Sequence, residues 1–182
     1  AGLIWFASRR EIGRPFGLLM ASIFTWCFFS YLRLRVPVPQ DQLLYIRCEI
    51  IGVVSLAYWA FVFVRAFIGR KLGLRAMCLL SLLPLCSIAL AFASDSTSLF
   101  WSVDFVRSPI RIRQGPLFWL QNLYSYILLA LSIYAIAQKT RSLEGTMRFW
   151  FRIIVLSFAI PIPVNLCYLL ASAAQQIGRA HV

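Results

Sequence analysis

The sequence predicts an all-α membrane protein, a polytopic helical bundle, and three observations carry that prediction. Hydrophobic residues make up 61% of the 182-residue chain and charged residues 13%, against about 45–50% and about 25% in an ordinary soluble domain. Apolar runs recur along the chain, and a hydrocarbon core about 30 Å thick asks for about 20 residues of helix per crossing. The basic residues gather in short clusters between those runs, which is the pattern of membrane loops. So apolar a chain could not cover itself with polar groups in water, which excludes a water-soluble enzyme of this size. The net charge of +12 would favour nucleic acid only if it were gathered on one solvated face. Spread among loops, it points to the lipid bilayer as partner and away from nucleic acid.

The elements follow in order. Residues 1–7, Ala-Gly-Leu-Ile-Trp-Phe-Ala, read as the tail of a first helix whose beginning is missing, because the basic cluster Ser8-Arg9-Arg10 follows the apolar stretch whereas a secretory signal carries its basic residues first. A second helix is expected over 15–33, opened by Gly13-Arg14-Pro15, since proline suits a first turn. Pro37 and Pro39 keep the connector before Gln40 extended. The charge-free part of the third helix, residues 50–64, is too short alone, so this helix is expected over 42–66 with Arg47 and Glu49 inside its first turns. A fourth is expected over 75–94, a fifth over 115–138 and a sixth over 149–172. Residues 177–182, Ile-Gly-Arg-Ala-His-Val, break abruptly from an apolar run, and one reverse translation (ATC GGA AGA GCA CAC GTC) resembles read-through of a sequencing adapter. They are set aside as an artefact, so the sole histidine, His181, receives no role.

Lys and Arg in the loops orient the bundle. One set of alternate loops carries eleven (Arg9, Arg10, Arg14, Arg65, Arg70, Lys71, Arg75, Lys139, Arg141, Arg148 and Arg152), and the other carries six. The richer set is expected to be cytoplasmic, which puts the N-terminus outside and makes six helices present of seven, in a single domain over 1–176. The outer connector between the fourth and fifth helices is long, and both Phe100–Val106 and Ile110–Arg113 alternate partly with period two around Arg107-Ser108-Pro109. This predicts a short extracytoplasmic β-hairpin over 99–114, lying over the helix mouths. It serves either in function or as a flap anchored by Phe100 and Trp101 in an aromatic belt.

Several polar positions in the spans call for an account. Arg47 and Glu49 are two residues apart, about 200° around a helix, so they cannot pair with each other. Each either snorkels to the outer interface or serves a ligand or gate. In the fifth helix, Trp119, Gln121, Asn122, Tyr124, Ser125 and Tyr126 make the first half polar and aromatic, and Gln121, Tyr124 and Ser125 share one face. That face lines a pocket or makes interhelical hydrogen bonds. Pro161 and Pro163 break the ladder of the sixth helix, and Asn165 follows to satisfy freed carbonyls or a neighbour. The five cysteines, Cys27, Cys48, Cys78, Cys86 and Cys167, fit neither a disulfide framework nor a metal site and are expected to act as small apolar fillers. No phosphate loop, metal-ligand run or catalytic triad is present, so no catalytic residue, metal or cofactor is expected.

The arrangement resembles the N-terminal seven-transmembrane sensor region of bacterial histidine kinases, a region that also precedes diguanylate cyclase outputs. The carriers are Leu44-Tyr45-Ile46-Arg47-Cys48-Glu49-Ile50-Ile51-Gly52, Leu99-Phe100-Trp101-Ser102, the run from Gly115-Pro116-Leu117-Phe118-Trp119 through Gln121 to Tyr124-Ser125-Tyr126, and Pro163-Val164-Asn165-Leu166-Cys167-Tyr168-Leu169. The Phe-Trp to Tyr-Ser-Tyr segment is the most specific of them. Family members often carry His where this chain has Gln121. The resemblance implies a multi-pass sensing module of the bacterial inner membrane, with an unidentified small-molecule or membrane signal. It also implies a cytoplasmic output domain beyond this fragment, through which a homodimer would form. An outer pocket is expected to draw on Arg47, Glu49, Trp101, Trp119, Gln121 and Tyr124. The alternative is a fragment of a secondary transporter, which would show repeated halves with matching broken helices.

Overall fold

Among the described residues, four of the apolar runs form helices long and apolar enough to cross a membrane. The computed structural model describes residues 10–36, 38–70, 72–93, 98–104 and 111–141, with isolated helical positions 148, 149, 153, 156 and 167. Within them lie helices α1 (Arg10–Arg35), α2 (Pro39–Phe67), α3 (Leu74–Phe92) and α4 (Pro116–Arg141), and strands β1 (Trp101–Asp104) and β2 (Arg111–Gln114) between α3 and α4. The stub at 1–7, the kink residues Pro161, Pro163 and Asn165, and the end of the chain lie outside the described residues. Of the residues expected to form a sixth helix, only isolated helical positions are described.

Local chemistry accounts for most of the ends. Helix α1 begins at Arg10, ahead of the start expected at Pro15, so Pro15 sits inside the helix. Pro15 leaves the carbonyl of Glu11, in the opening turn, without its usual intrahelical donor. At the other end Arg33 and Arg35 occupy the last turn, where positive charge suits the helix dipole. Val38 is extended, and Pro39 stands in the first turn of α2, where the missing amide costs nothing. Gln42 Nε2 donates to the Val36 carbonyl at 2.6 Å and holds the connector against the helix. Helix α2 closes with Gly69 at φ 80°, the Gly69 amide on Ala66 O and the Arg70 amide on Arg65 O. These are the two bonds of a Schellman cap, and its left-handed position is where glycine is free of strain.

Strands β1 and β2 pair antiparallel, with Trp101 opposite Gln114 and Asp104 opposite Arg111. The pair is joined directly to α4. The Gly115 amide donates to Phe100 O at 2.8 Å, and the Leu117 amide donates to Leu99 O at 3.1 Å, so the strand entry satisfies amides that a helix start leaves open. A Cβ at Gly115 would run into the carbonyl oxygens of Leu99 and Ser98, which explains glycine there.

Helix α2 is the centre of the bundle, with contacts to α1, α3 and α4. Half of its apolar span is buried, against 11% for α1 and 17% for α3. Helices α1 and α2 approach closely at Gly52, whose missing side chain leaves room for the backbone of Trp26 and Ser22. Small residues at such a crossing are the usual way membrane helices gain contact, because lipid offers no hydrophobic drive for association. Phe24, Phe28, Leu79, Leu82, Leu85, Leu123 and Ile127 are exposed, as faces toward lipid should be. Cys27, Cys78 and Cys86 are exposed as well. Cys48 of α2 is half-buried, so the small apolar thiols stand mostly on the outer faces of the helices.

Candidate functional site at one end of the bundle

The end of α1, the start of α2, the end of α3, the strand pair and the start of α4 all lie at one end of the bundle, because each helix reverses direction. Here Ile46, Ile50 and Val54 of α2, Ala91 of α3, and Phe100 and Trp101 form one buried cluster, with Ile88, Leu90, Leu117 and Phe118 packed against it. Phe100 is fully buried and Trp101 is 2% exposed. The Phe100 ring meets Trp101 edge-on at 5.2 Å and Phe118 at 5.9 Å. The strand pair is therefore a lid whose aromatic residues point into the helix ends rather than into lipid. The Trp101 indole Nε1 is buried without a hydrogen-bond acceptor, as is Gln114 Oε1 without a donor, directly across the ladder.

The six residues singled out from the sequence fall into separate places. Glu49 turns toward α1, where its Oε2 lies 3.4 Å from Arg33 Nε. That pair supplies the partner which the spacing of Arg47 and Glu49 required from elsewhere. Arg47 is partly buried on α2, about 100° round the helix from Ile46. Trp101 belongs to the lid. Trp119 is 36% exposed and stands edge-on to Phe118 at 5.9 Å, apart from Gln121 on the helix.

Gln121 and Tyr124 do come together, against α3. Gln121 is 4% exposed; its Oε1 accepts from Ser87 Oγ at 2.9 Å, and its Nε2 donates to Ser125 Oγ at 3.3 Å. The Tyr124 hydroxyl donates to the Leu80 carbonyl. Tyr58 of α2 also donates to α3, at Met77 O, 3.3 Å away. These side chains bridge three helices, so they are the interhelical bonds weighed for this face. Asn122 instead bonds the Phe118 carbonyl of its own helix at 2.8 Å.

Reading the sequence missed Arg33, Leu80, Pro84 and Ser87. For Pro84 a signal was available: a proline inside an apolar helix frees the carbonyl four residues earlier, here Leu80, and membrane neighbours must satisfy it. Among the described residues no three of His, Cys, Asp and Glu gather as metal ligands. Among the described residues the mouth offers apolar and aromatic contact, the Arg33–Glu49 ion pair, and the buried Trp101 Nε1 and Gln114 Oε1 facing each other across the ladder.

Neither the curated proteins nor the solved structures contain a match. The family described as the N-terminal 7TM region of histidine kinase matches residues 1–178. An apolar helical bundle closed at one end by an aromatic lid, carrying that match over nearly its whole length, belongs to the N-terminal seven-transmembrane region family of histidine kinases.

Proposed function

We propose that the chain is the signal-sensing input module of a bacterial sensor protein of histidine kinase or diguanylate cyclase type. It sits in the inner membrane with the lid on the extracytoplasmic side and passes an extracytoplasmic or intramembrane signal to a C-terminal cytoplasmic output domain. The family match over residues 1–178 is the observation that carries this reading. The lid supports it, because Phe100 and Trp101 tie the strand pair to the ends of three helices at once. The signal acts at this mouth, on the Trp101 cluster and beside Arg47 and Glu49, whereas Trp119 faces outward and Gln121 and Tyr124 are bonded along α3.

The energetics follow from linkage. A signal that binds two helix arrangements equally shifts nothing, so it must contact one arrangement better than the other. A small molecule or membrane component that reorganises the Trp101 cluster meets this condition, since that cluster touches α2, α3 and α4 together. The chemistry of phosphoryl transfer or cyclisation belongs to the output domain, which is also where two copies would join.

The test is the full-length reading frame, reconstituted in lipid nanodiscs. A kinase or cyclase domain after the bundle is expected, with output altered by Trp101→Phe and Glu49→Gln and unaltered by Trp119→Leu on the exposed face. A reading frame that continues instead into further membrane spans would overturn the proposal in favour of transport.

A further inference from the structure

We propose that α3 is a hinged helix whose break at Pro84 is held closed by a latch on α4, with Tyr124 spanning the gap and Gln121 clamping the segment beyond it. Pro84 lies inside α3 and is buried. It has no amide, so the Leu80 carbonyl has no intrahelical donor, and lipid offers none. The donor it has is the Tyr124 hydroxyl, from a different helix. Less than one turn past Pro84, Ser87 is buried and donates to Gln121 Oε1 at 2.9 Å. Two residues of one α4 face therefore hold α3 on the two sides of its break.

The two halves of α3 are anchored differently. The first half is tied to α2 by Tyr58 on Met77 O and packs with Leu80 and Met77 against Tyr58 and Leu128. The second half carries Ile88, Leu90 and Ala91 into the Phe100 and Trp101 cluster under the lid. A rearrangement of the lid therefore acts on the second half alone, and Tyr124 and Gln121 decide whether the first half follows. Only 17% of the apolar span of α3 is buried, so little else opposes bending. The use of the hinge in signalling rests on the sensory reading above; the latch itself does not.

The chain carries its own probes. Cys78 and Cys86 are exposed and free and flank Pro84, about 12 Å apart along a continuous helix. Nitroxide labels are placed on these two in lipid nanodiscs, with Cys27, Cys48 and Cys167 replaced by alanine, and the distance distribution between them is measured by electron paramagnetic resonance. Tyr124→Phe is expected to raise the share of a second, bent distance about three-fold to twenty-fold, the bias that one interhelical hydrogen bond exerts in a membrane. In a Pro84→Ala background residue 84 again donates to Leu80, and Tyr124→Phe should change nothing. Gln121→Ala is the second variant, expected to shift the distance with Pro84 present and to leave it unmoved in the Pro84→Ala background.

Distances unmoved by both variants, or moved equally in both backgrounds, would overturn the latch. This measurement needs neither signal nor output domain, so its failure leaves the sensory reading standing. Bent distances without any change in output from the full-length protein would instead overturn the use of the hinge in signalling.

Discussion

Gly52→Ala is the sharpest test of how α1 and α2 are held together. The single added carbon would lie 2.5 Å from the Trp26 backbone nitrogen and 2.6 Å from the Ser22 carbonyl oxygen. Neither neighbour can rotate away, because both are backbone, so the helices must separate by about 1 Å to restore van der Waals contact. A radial gap of about 0.5–1 Å forfeits about a quarter to a half of the dispersion well for each atom pair along the seam, and overpacking of this kind costs about 1–3 kcal/mol. The Arg33–Glu49 pair, at 3.4 Å, would open beyond 4 Å if it shared the shift. The assay is unfolding in mixed micelles titrated with SDS, followed by tryptophan fluorescence. Gly17→Ala is the control, since nothing lies within 4 Å of a Cβ there; in a helix that change is expected to stabilise by about 0.5–1 kcal/mol. If Gly52→Ala proves as stable as Gly17→Ala, the tight crossing is wrong.

Trp101→Ala should destabilise the lid by about 3–5 kcal/mol, as loss of a buried aromatic does, whereas Trp119→Ala on the exposed face should cost much less; equal losses in SDS titration would contradict the lid packing. Glu49→Gln should change stability by no more than about 1 kcal/mol, with the effect shrinking as salt is added, because Arg33 is 38% exposed. A salt-independent loss of several kcal/mol would mean that the pair is sealed from solvent. Gly115→Ala should detach the strand pair from α4 by forcing its Cβ onto the Leu99 carbonyl, read out as faster amide exchange at residues 115 and 117. The purified chain should turn over neither ATP nor GTP, and any steady nucleotide turnover by it would show chemistry that this sequence does not announce.

Much of the helical framework was legible from composition, because the bilayer imposes one length and one polarity on every spanning segment. The apolar runs behind α2, α3 and α4 lie close to the helices themselves. The start of α1 was not legible: Pro15 is compatible both with a first turn and with an early interior position, and only the course of residues 10–14 distinguishes them. The face of Gln121, Tyr124 and Ser125 could be drawn from helical spacing alone, but not what it meets. Its partners, Ser87 and the Leu80 carbonyl, lie on another helix.

The cysteines and Trp101 show the same limit from the other side. Hydrophobicity alone does not separate a residue facing lipid from one facing protein, since both surroundings are apolar. So Cys78 and Cys86 read as fillers yet stand exposed, while Trp101, equally suited to an interfacial belt, is buried in the mouth. Composition and charge placement suffice to put this chain in a membrane as helices, because a backbone surrounded by lipid must satisfy its polar groups within each segment. Which polar groups meet is a matter of packing: a hydroxyl on α4 and a carbonyl freed by a proline on α3 are brought together by the way the helices cross, and by no spacing along the chain.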